Sequence, residues 1–243
     1  MLTRTDRAEP YSLFAPVYNY HMRYVNYVYW SRYLLKLMQK NGIEKGNLLE
    51  IAAGTGTLAS YLKPHFKSYM ISDISKDMLK QSKSGLQKIC FDMRKFPLKT
   101  RFDIVLSAFD SINYILSPGE IKKVFDNVSA VLPGGGKFLF DTSLERNSHV
   151  YSTIFKKPIR IKDFVVKQES RYDSEEKIHT NTFTFEFESG KIIREIHRQR
   201  IYTVAEIEEI LTASGFTEIK KFDSFSFREG NEESFRIQFI AGK

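Results

Sequence analysis

Four acidic residues each follow a short apolar run in the first half of this 243-residue chain. They are Glu50, Asp73, Asp92 and Asp110. Each run is typical of a β-strand, and the carboxyl ends of parallel strands share one edge of a sheet, where ligands of α/β proteins bind. A row of carboxylates at that edge favours a ligand with hydroxyl groups, an amine or a positive charge, and disfavours a phosphate.

The first acid precedes a turn that contains two glycines. Residues 48–58 read Leu-Leu-Glu-Ile-Ala-Ala-Gly-Thr-Gly-Thr-Leu, which predicts a strand, a tight turn and the start of a helix. Gly54 and Gly56 let a ligand approach the backbone closely. The turn also matches the G-x-G-x-x-A dinucleotide fingerprint, with Asp73 at roughly the ribose offset. Glu50 counts against a dinucleotide because it would repel a diphosphate.

Alternating elements position these residues. Strands are predicted near residues 48–52, 68–73, 87–91, 102–108 and 136–142, and helices near 57–64, 75–84 and 118–132. A helix over 204–214 and strands near 217–223 and 235–241 follow. This alternation predicts a parallel sheet with helices on both faces.

Residues 155–202 interrupt the alternation. Three strands are predicted there, over Ile161–Ser170, Ile178–Glu188 and Lys191–Tyr202. In the middle strand, phenylalanines alternate with polar residues along the chain. This is the pattern of a strand with one apolar face and one polar face. We therefore predict a single domain over residues 1–243 with an antiparallel β meander inserted at 155–202.

Composition limits the classes of protein. No apolar run reaches the ~20 residues of a membrane span, and the N-terminus lacks the apolar segment of a signal peptide. The single cysteine, Cys90, allows no internal disulfide and no cysteine-based zinc site. We expect a cytoplasmic protein with no membrane partner, no metal site and a buried Cys90.

The net charge is +8, and residues 61–101 carry ten basic and three acidic residues. These bases form either a solvated face or a docking surface for an anionic partner.

Residues 50–56 resemble the first motif of class I S-adenosylmethionine-dependent methyltransferases, with Ala52 in place of the first glycine. Later motifs follow in order, at residues 71–79, 91–93, 102–110 and 132–140, and the likeness covers 45–142 and 203–241. It implies an α/β, Rossmann-like sheet of seven strands, mostly parallel with the last strand antiparallel. The implied cofactor is S-adenosyl-L-methionine, which leaves S-adenosyl-L-homocysteine as product.

The resemblance also implies roles for the matching residues. Backbone at Ala52, Gly54 and Gly56 would surround the methionine part, with Glu50 on its ammonium side. Asp73 would accept hydrogen bonds from the ribose. The residues implied around the adenine are Ile74, Met78, Asp92 and Met93, and those implied below the sulfonium are Ala108 and Phe109.

A narrower resemblance is to small-molecule methyltransferases of the glycine and amino-sugar N-methyltransferase kind. The aromatic segment within residues 1–42 resembles their N-terminal lid, so Tyr18 and Trp30 would cover the cofactor. Residues 110–114 resemble their substrate-facing loop. The residues implied in acceptor binding are Asp110, Asn113 and Tyr114.

The predicted function is methyl transfer to a small-molecule acceptor, with an amine as one candidate. Methyl transfer is an in-line displacement, so positioning supplies much of the catalysis and a base is not obligatory. An amine must be neutral when it attacks. The candidates to take its proton are Tyr18, Tyr114, His149 and His197, although both histidines also fit a structural role, His197 in a charged strand and His149 in a loop.

Two alternatives remain open. An RNA or tRNA methyltransferase would explain the basic region, but an Asn-Pro-Pro-Tyr-like motif is missing after the fourth strand, so nucleic acid is not favoured. A non-catalytic S-adenosylmethionine-binding protein would keep the same fold. A monomer or a homodimer is expected.

Overall fold

The computed structural model describes residues 6–82, 85–161 and 163–243. In chain order the strands are β1 (Asp6–Ala8), β2 (Asn47–Glu50), β3 (Ser68–Asp73), β4 (Gln87–Cys90), β5 (Ile104–Ser107), β6 (Lys137–Ser143), β7 (Ile159–Ile161), β8 (Phe164–Asp173), β9 (Ile178–Phe187), β10 (Ile192–Arg200), β11 (Glu218–Asp223) and β12 (Arg236–Gly242). The α-helices are α1 (Ala15–His21), α2 (Tyr27–Lys40), α3 (Thr57–Leu62), α4 (Lys76–Gln81), α5 (Pro118–Val131), α6 (Glu145–Thr153) and α7 (Val204–Ala213).

The larger sheet has seven strands in the order β11-β12-β6-β5-β2-β3-β4. Strands β2 to β6 pair in parallel, and β12 is antiparallel to both of its neighbours. The predicted α/β fold, with a mostly parallel seven-stranded sheet and an antiparallel last strand, is confirmed. Because β5, β2, β3 and β4 are neighbours and run in parallel, their carboxyl ends lie next to one another.

Helices cover both faces of this sheet and enclose two apolar cores. On α2, Trp30, Leu34 and Leu37 recur at three- and four-residue steps and are buried. On α5, Ser117 caps the first turn by accepting from the Glu120 N–H, and Phe125 is fully buried. Each such large apolar side chain contributes roughly 1.5–3 kcal/mol on burial.

The smaller sheet has the order β1-β10-β9-β8-β7. Its strands β7 to β10 form the antiparallel meander expected from the alternating phenylalanines. Strand β1 is an addition that the sequence did not predict, and it pairs in parallel with β10. Its three residues, Asp-Arg-Ala, carry no apolar alternation that could have predicted a strand. The N-terminal end of the described chain is therefore joined to the inserted sheet.

Two local expectations were wrong. His149 was expected in a loop but lies on α6. Cys90 was expected to be buried but is exposed, because β4 is an edge strand; the Cys90 thiol donates to the Ile74 carbonyl at 3.4 Å. Part of the predicted helix over 75–84 and the first five residues of the predicted lid lie outside the described residues. Within the described ranges, no helix is long and apolar enough to cross a bilayer.

Candidate functional site

A cavity of about 660 Å³ opens at the carboxyl edge of the larger sheet. Its volume falls within the range of about 300–1,000 Å³ that small-molecule sites occupy. Residues 9–26, between β1 and α2, lie across it, and we call them the cover segment. The predicted site residues that line this cavity are Tyr18, Glu50, Ala52, Gly54, Asp73, Ile74, Met78, Asp92, Met93, Ala108, Phe109 and Tyr114.

The turn after β2 forms part of the cavity floor. Ala52, Gly54 and Gly56 all have left-handed φ angles, of 51°, 58° and 66°. Ala52 adopts this conformation at a cost of roughly 1–2 kcal/mol. A Cβ on Gly54 would lie 3.1 Å from the Met78 methyl, so glycine keeps the floor open there. Gly56 does not line the cavity; a Cβ there would lie 3.0 Å from Ile71 Cδ1.

Asp73 connects this turn to β3. Its carboxylate accepts hydrogen bonds from the Gly54 N–H and the Ser75 N–H, each at 2.8 Å. Burial raises the pKa of Asp73, and these backbone N–H groups oppose that rise. Only 8 % of the residue is exposed, and the two backbone hydrogen bonds hold the carboxylate in one position at the cavity floor.

Glu50 is the second buried carboxyl group at the floor, with 2 % exposure. Burial raises its pKa to about 7; the hydrogen bond from the Tyr69 hydroxyl opposes this rise and the charge of Asp73 adds to it. The Tyr69 hydroxyl donates to Glu50 Oε2 at 2.6 Å. A cation bound nearby would favour the ionised form of Glu50. The two buried carboxyl groups and the open turn therefore fit a ligand with hydroxyl groups and a positive charge, such as S-adenosylmethionine.

The raised pKa of Glu50 predicts a pH dependence of stability. The ordinary pKa is 4.5 and the folded value is about 7, so the folded state binds more protons than the unfolded state between these values. Protonated Glu50 therefore stabilises the folded state fully below pH 4.5, and this contribution to the unfolding free energy is lost as the pH rises through 7. We expect wild-type protein to lose up to about 3 kcal/mol more unfolding free energy than Glu50→Gln between pH 4.5 and 7.5. Urea unfolding of both proteins measures this difference, and parallel pH curves would contradict it.

Asp92 and Ile74 lie where the resemblance places an adenine. Arg94 donates to both carboxylate oxygens of Asp92, at 2.6–3.0 Å. Partial burial raises the pKa of Asp92, but the hydrogen bonds and charge of Arg94 outweigh it and hold the pKa below its usual value. Ile74 is 63 % exposed, which leaves an apolar surface available to a flat ring.

Trp30 does not line the cavity. Its ring packs on Phe109 at a centroid distance of 4.4 Å and on Phe225 at 4.6 Å. Phe109 and Asp110 have positive φ angles of 59° and 49°, which are uncommon for such residues. Trp30 therefore supports the turn after β5 from behind and holds Phe109 at the cavity wall.

Asp110 and Asn113 also lie outside the cavity lining. Asp110 pairs with Arg236 at 2.6 Å and accepts from Gln199 at 2.5 Å. Asn113 is fully buried and donates to the Arg200 carbonyl at 2.7 Å. Both residues connect the turn after β5 to neighbouring strands. Of the three residues expected to bind the acceptor, Tyr114 is the one that lines the cavity.

Tyr114 belongs to a chain of polar contacts that begins at the cavity. Its hydroxyl lies 2.6 Å from the Tyr11 hydroxyl and 3.1 Å from His197 Nδ1. His197 Nε2 lies 3.4 Å from Glu195 Oε2. His197 and Glu195 are 1 % and 0 % exposed. The other histidine candidate, His149, has a side chain that is 61 % exposed and does not line the cavity.

Sequence reasoning did not single out Tyr11 or Glu195 as site residues. Tyr11 lies in the aromatic segment that resembled a lid, but neither spacing nor type separates it from the other tyrosines there. On β10, Glu195 and His197 are buried while Arg194 and Arg198 are exposed. The two-residue spacing of Glu195 and His197 in a predicted strand was a sequence signal that the two side chains share one face.

Known proteins support the class of protein that this fold and cavity define. Residues 48–136 match the family model of a methyltransferase domain. The chain is similar to the putative methyltransferase YqeM of Bacillus subtilis, with 29% identity over 96% of this chain and 97% of the relative. It is also similar to the structure of an S-adenosylmethionine-dependent methyltransferase from Clostridium acetobutylicum, with 25% identity, a TM-score of 0.79 and coverage of 96% and 98%.

The chain is thus a methyltransferase with the class I, S-adenosylmethionine-dependent fold, and the class predicted from its motifs is confirmed. A relative whose name specifies its substrate is the dTDP-3-amino-3,4,6-trideoxy-alpha-D-glucopyranose N,N-dimethyltransferase of Streptomyces venezuelae. It is 28% identical over 134 residues, which cover 54% of each chain. The likeness to amino-sugar N-methyltransferases is confirmed as a similarity of sequence.

Proposed function

We propose that this protein transfers a methyl group from S-adenosylmethionine to a small-molecule amine. The observation that carries the proposal is a cavity with buried carboxyl groups at its floor and a linked tyrosine pair, Tyr11 and Tyr114, in the same lining. The bound cofactor supplies a methyl group activated by its sulfonium. The residues of this chain bind that cofactor, orient the acceptor and exclude water.

The floor residues are proposed to hold the cofactor as follows. Asp73 accepts hydrogen bonds from the ribose hydroxyls, and Glu50 in its ionised form stabilises the amino-acid ammonium. Ile74 and Met78 contact the adenine, and Asp92 accepts from its amino group while remaining paired with Arg94. Their common lining of one cavity supports this assignment.

The size and cover of the cavity support a small acceptor. The cover segment closes one side, where Thr55 Oγ1 donates to Asn19 Oδ1 at 2.7 Å. The inserted sheet packs behind the cover segment, with the Phe14 and Phe183 rings 4.2 Å apart. The named activity of the Streptomyces venezuelae relative is methylation of an amine, which supports the same acceptor class here. We also propose a cytoplasmic location, which the single cysteine supports.

A methyl-transfer assay tests this function. Purified protein is incubated with S-adenosylmethionine carrying a radioactive methyl group and with panels of amino sugars, amino acids and alkylamines. Each amine is matched by a compound in which a hydroxyl replaces the amine. We expect methylation of at least one amine and none of its hydroxyl partner. Cofactor binding with label transfer only to hydroxyl compounds, or to none, would refute the amine acceptor.

A further inference from the structure

The hydroxyls of Tyr11 and Tyr114 connect the cavity to a buried histidine and carboxylate on β10. We propose that Tyr11, Tyr114 and His197 form a relay that takes the proton from an ammonium acceptor, with Glu195 as the positioning residue that sets its direction. The inference rests on the proposed function and concerns how the same site removes a proton from its acceptor.

Glu195 fixes the direction of the hydrogen bonds. Its Oε2 accepts from the Tyr11 N–H at 2.9 Å, and its Oε1 accepts from the Phe14 N–H at 3.0 Å and from the Leu13 N–H. The Ser12 hydroxyl also lies 3.2 Å from Oε1, but its single hydrogen has a shorter bond, of 2.8 Å, to the Glu9 carbonyl. A carboxylate that receives three backbone N–H donors has no hydrogen of its own to give, so it acts as an acceptor toward the histidine as well.

The histidine tautomer follows from that acceptor. Nε2 of His197 faces Glu195 Oε2, so Nε2 carries the hydrogen and donates it. In a neutral imidazole the other nitrogen then has a lone pair. Nδ1 therefore accepts from the Tyr114 hydroxyl at 3.1 Å. Tyr114 has one hydroxyl hydrogen, which this bond uses, so its oxygen accepts from the Tyr11 hydroxyl at 2.6 Å.

The cavity end of the relay is thus an acceptor. The Tyr11 oxygen has given its hydrogen to Tyr114 and offers lone pairs to a ligand in the cavity that both tyrosines line. A ligand group that donates N–H is complementary to this end. An acceptor-only group such as a carboxylate would face oxygen lone pairs instead.

The proton transfer balances along the relay. An N–H bond of the bound ammonium breaks and its proton goes to the Tyr11 oxygen, whose own proton passes to Tyr114. The Tyr114 proton passes to His197 Nδ1, so the ammonium becomes a neutral amine and the imidazole becomes an imidazolium. The positive sulfonium disfavours a second cation beside it, which helps the ammonium to lose its proton. The Glu195 carboxylate stabilises the imidazolium.

The cover segment controls access to this relay. The Tyr11 ring packs edge-on against His197 at 4.6 Å and shields it from water. Tyr11 has a φ of 63°, uncommon for an aromatic residue, and Glu195 holds it there through the backbone. Opening of the cover segment lets the imidazolium release its proton to solvent. The described titratable groups that face His197 are Tyr11, His21, Tyr114 and Glu195.

Nitrogen NMR of the imidazoles tests the relay in the full chain with S-adenosylhomocysteine added. The chain has five histidines, and loss of one set of signals in His197→Asn identifies His197. We expect its neutral form to carry the hydrogen on Nε2, with an unprotonated Nδ1. A hydrogen on Nδ1 would reverse every bond of the relay and overturn the proposal.

Two variants test separate contacts of the relay. In Tyr114→Phe, the Nδ1 signal of His197 is expected to move as it loses its donor while Nε2 keeps its hydrogen; an unmoved Nδ1 signal would overturn the Tyr114 contact. In Glu195→Gln, an unchanged tautomer would overturn the role of Glu195. Tyr151→Phe is the matched control, since Tyr151 lies on α6, does not line the cavity and is 46 % exposed. These readings need no methyl acceptor, so a failed relay is distinguishable from a failed amine assay.

Discussion

Asp73→Ala is expected to weaken S-adenosylhomocysteine binding by about 100-fold or more. Hydrogen bonds to a charged group contribute about 1.5–3 kcal/mol each, and a 100-fold loss corresponds to about 2.7 kcal/mol. The substitution removes the proposed ribose acceptor. It also removes the partner of the Gly54 and Ser75 N–H groups, so the turn that forms the floor loses its support at the same time. Isothermal titration calorimetry measures the affinity.

Asp126→Ala is the matched control for this experiment. Asp126 pairs with Lys122 on the exposed side of α5, and such helix pairs contribute about 0.3–0.5 kcal/mol. We expect Asp126→Ala to bind S-adenosylhomocysteine with the affinity of wild-type protein. Unchanged binding in folded Asp73→Ala would rule out the assigned ribose contact.

His197→Asn is expected to lower kcat/KM for an amine acceptor by about 100-fold at pH 7, within the range of roughly 10²–10⁴ for general acid–base catalysis. Asparagine can still accept from Tyr114 but cannot take up a proton. The variant then depends on amine that is already neutral, which is roughly one molecule in a few thousand at pH 7 for a pKa of about 10.4. The difference in kcat/KM between His197→Asn and wild-type protein should therefore shrink as the pH rises toward 9, by about tenfold per pH unit at most. Initial rates across this pH range, with the amine found by the methyl-transfer assay, measure it.

A merely structural role for His197 predicts a different pattern. The deficit would then be the same at every pH, and S-adenosylhomocysteine binding would weaken in parallel. His149→Asn makes the same chemical change on the exposed face of α6, where the side chain is 61 % exposed. It should leave the rates unchanged at every pH.

The floor of the site was predictable because its residues are close in sequence to the strands that carry them. Glu50 and Asp73 end β2 and β3, and strand polarity alone brings such ends to one edge of the sheet. The turn through Gly54 is supported by Asp73, which is only 19 positions away at the end of the adjacent strand. Local pattern and strand order were therefore sufficient to predict these positions.

The contacts of Tyr11, Tyr114 and His197 depend on long-range pairing that a single sequence does not reveal. Tyr11 meets Tyr114 across 103 positions, and Tyr114 meets His197 across 83. A strand pattern shows that Glu195 and His197 share a face, but not what that face packs against. Asp110 was misleading for the same reason: its ion pair with Arg236 lies 126 positions away and draws the carboxylate out of the cavity lining.

The parallel pairing of β1 with β10 has a consequence for how the cavity is covered. The cover segment is tied to the inserted sheet at one end and to α2, which packs on the larger sheet, at the other. A segment tethered at both ends keeps its contact groups near their partners, which raises their effective concentration. Individually weak contacts, such as that between Asn19 and Thr55, then suffice to close it. Because that contact is a single hydrogen bond, this part of the segment can detach quickly, so closure and turnover are compatible.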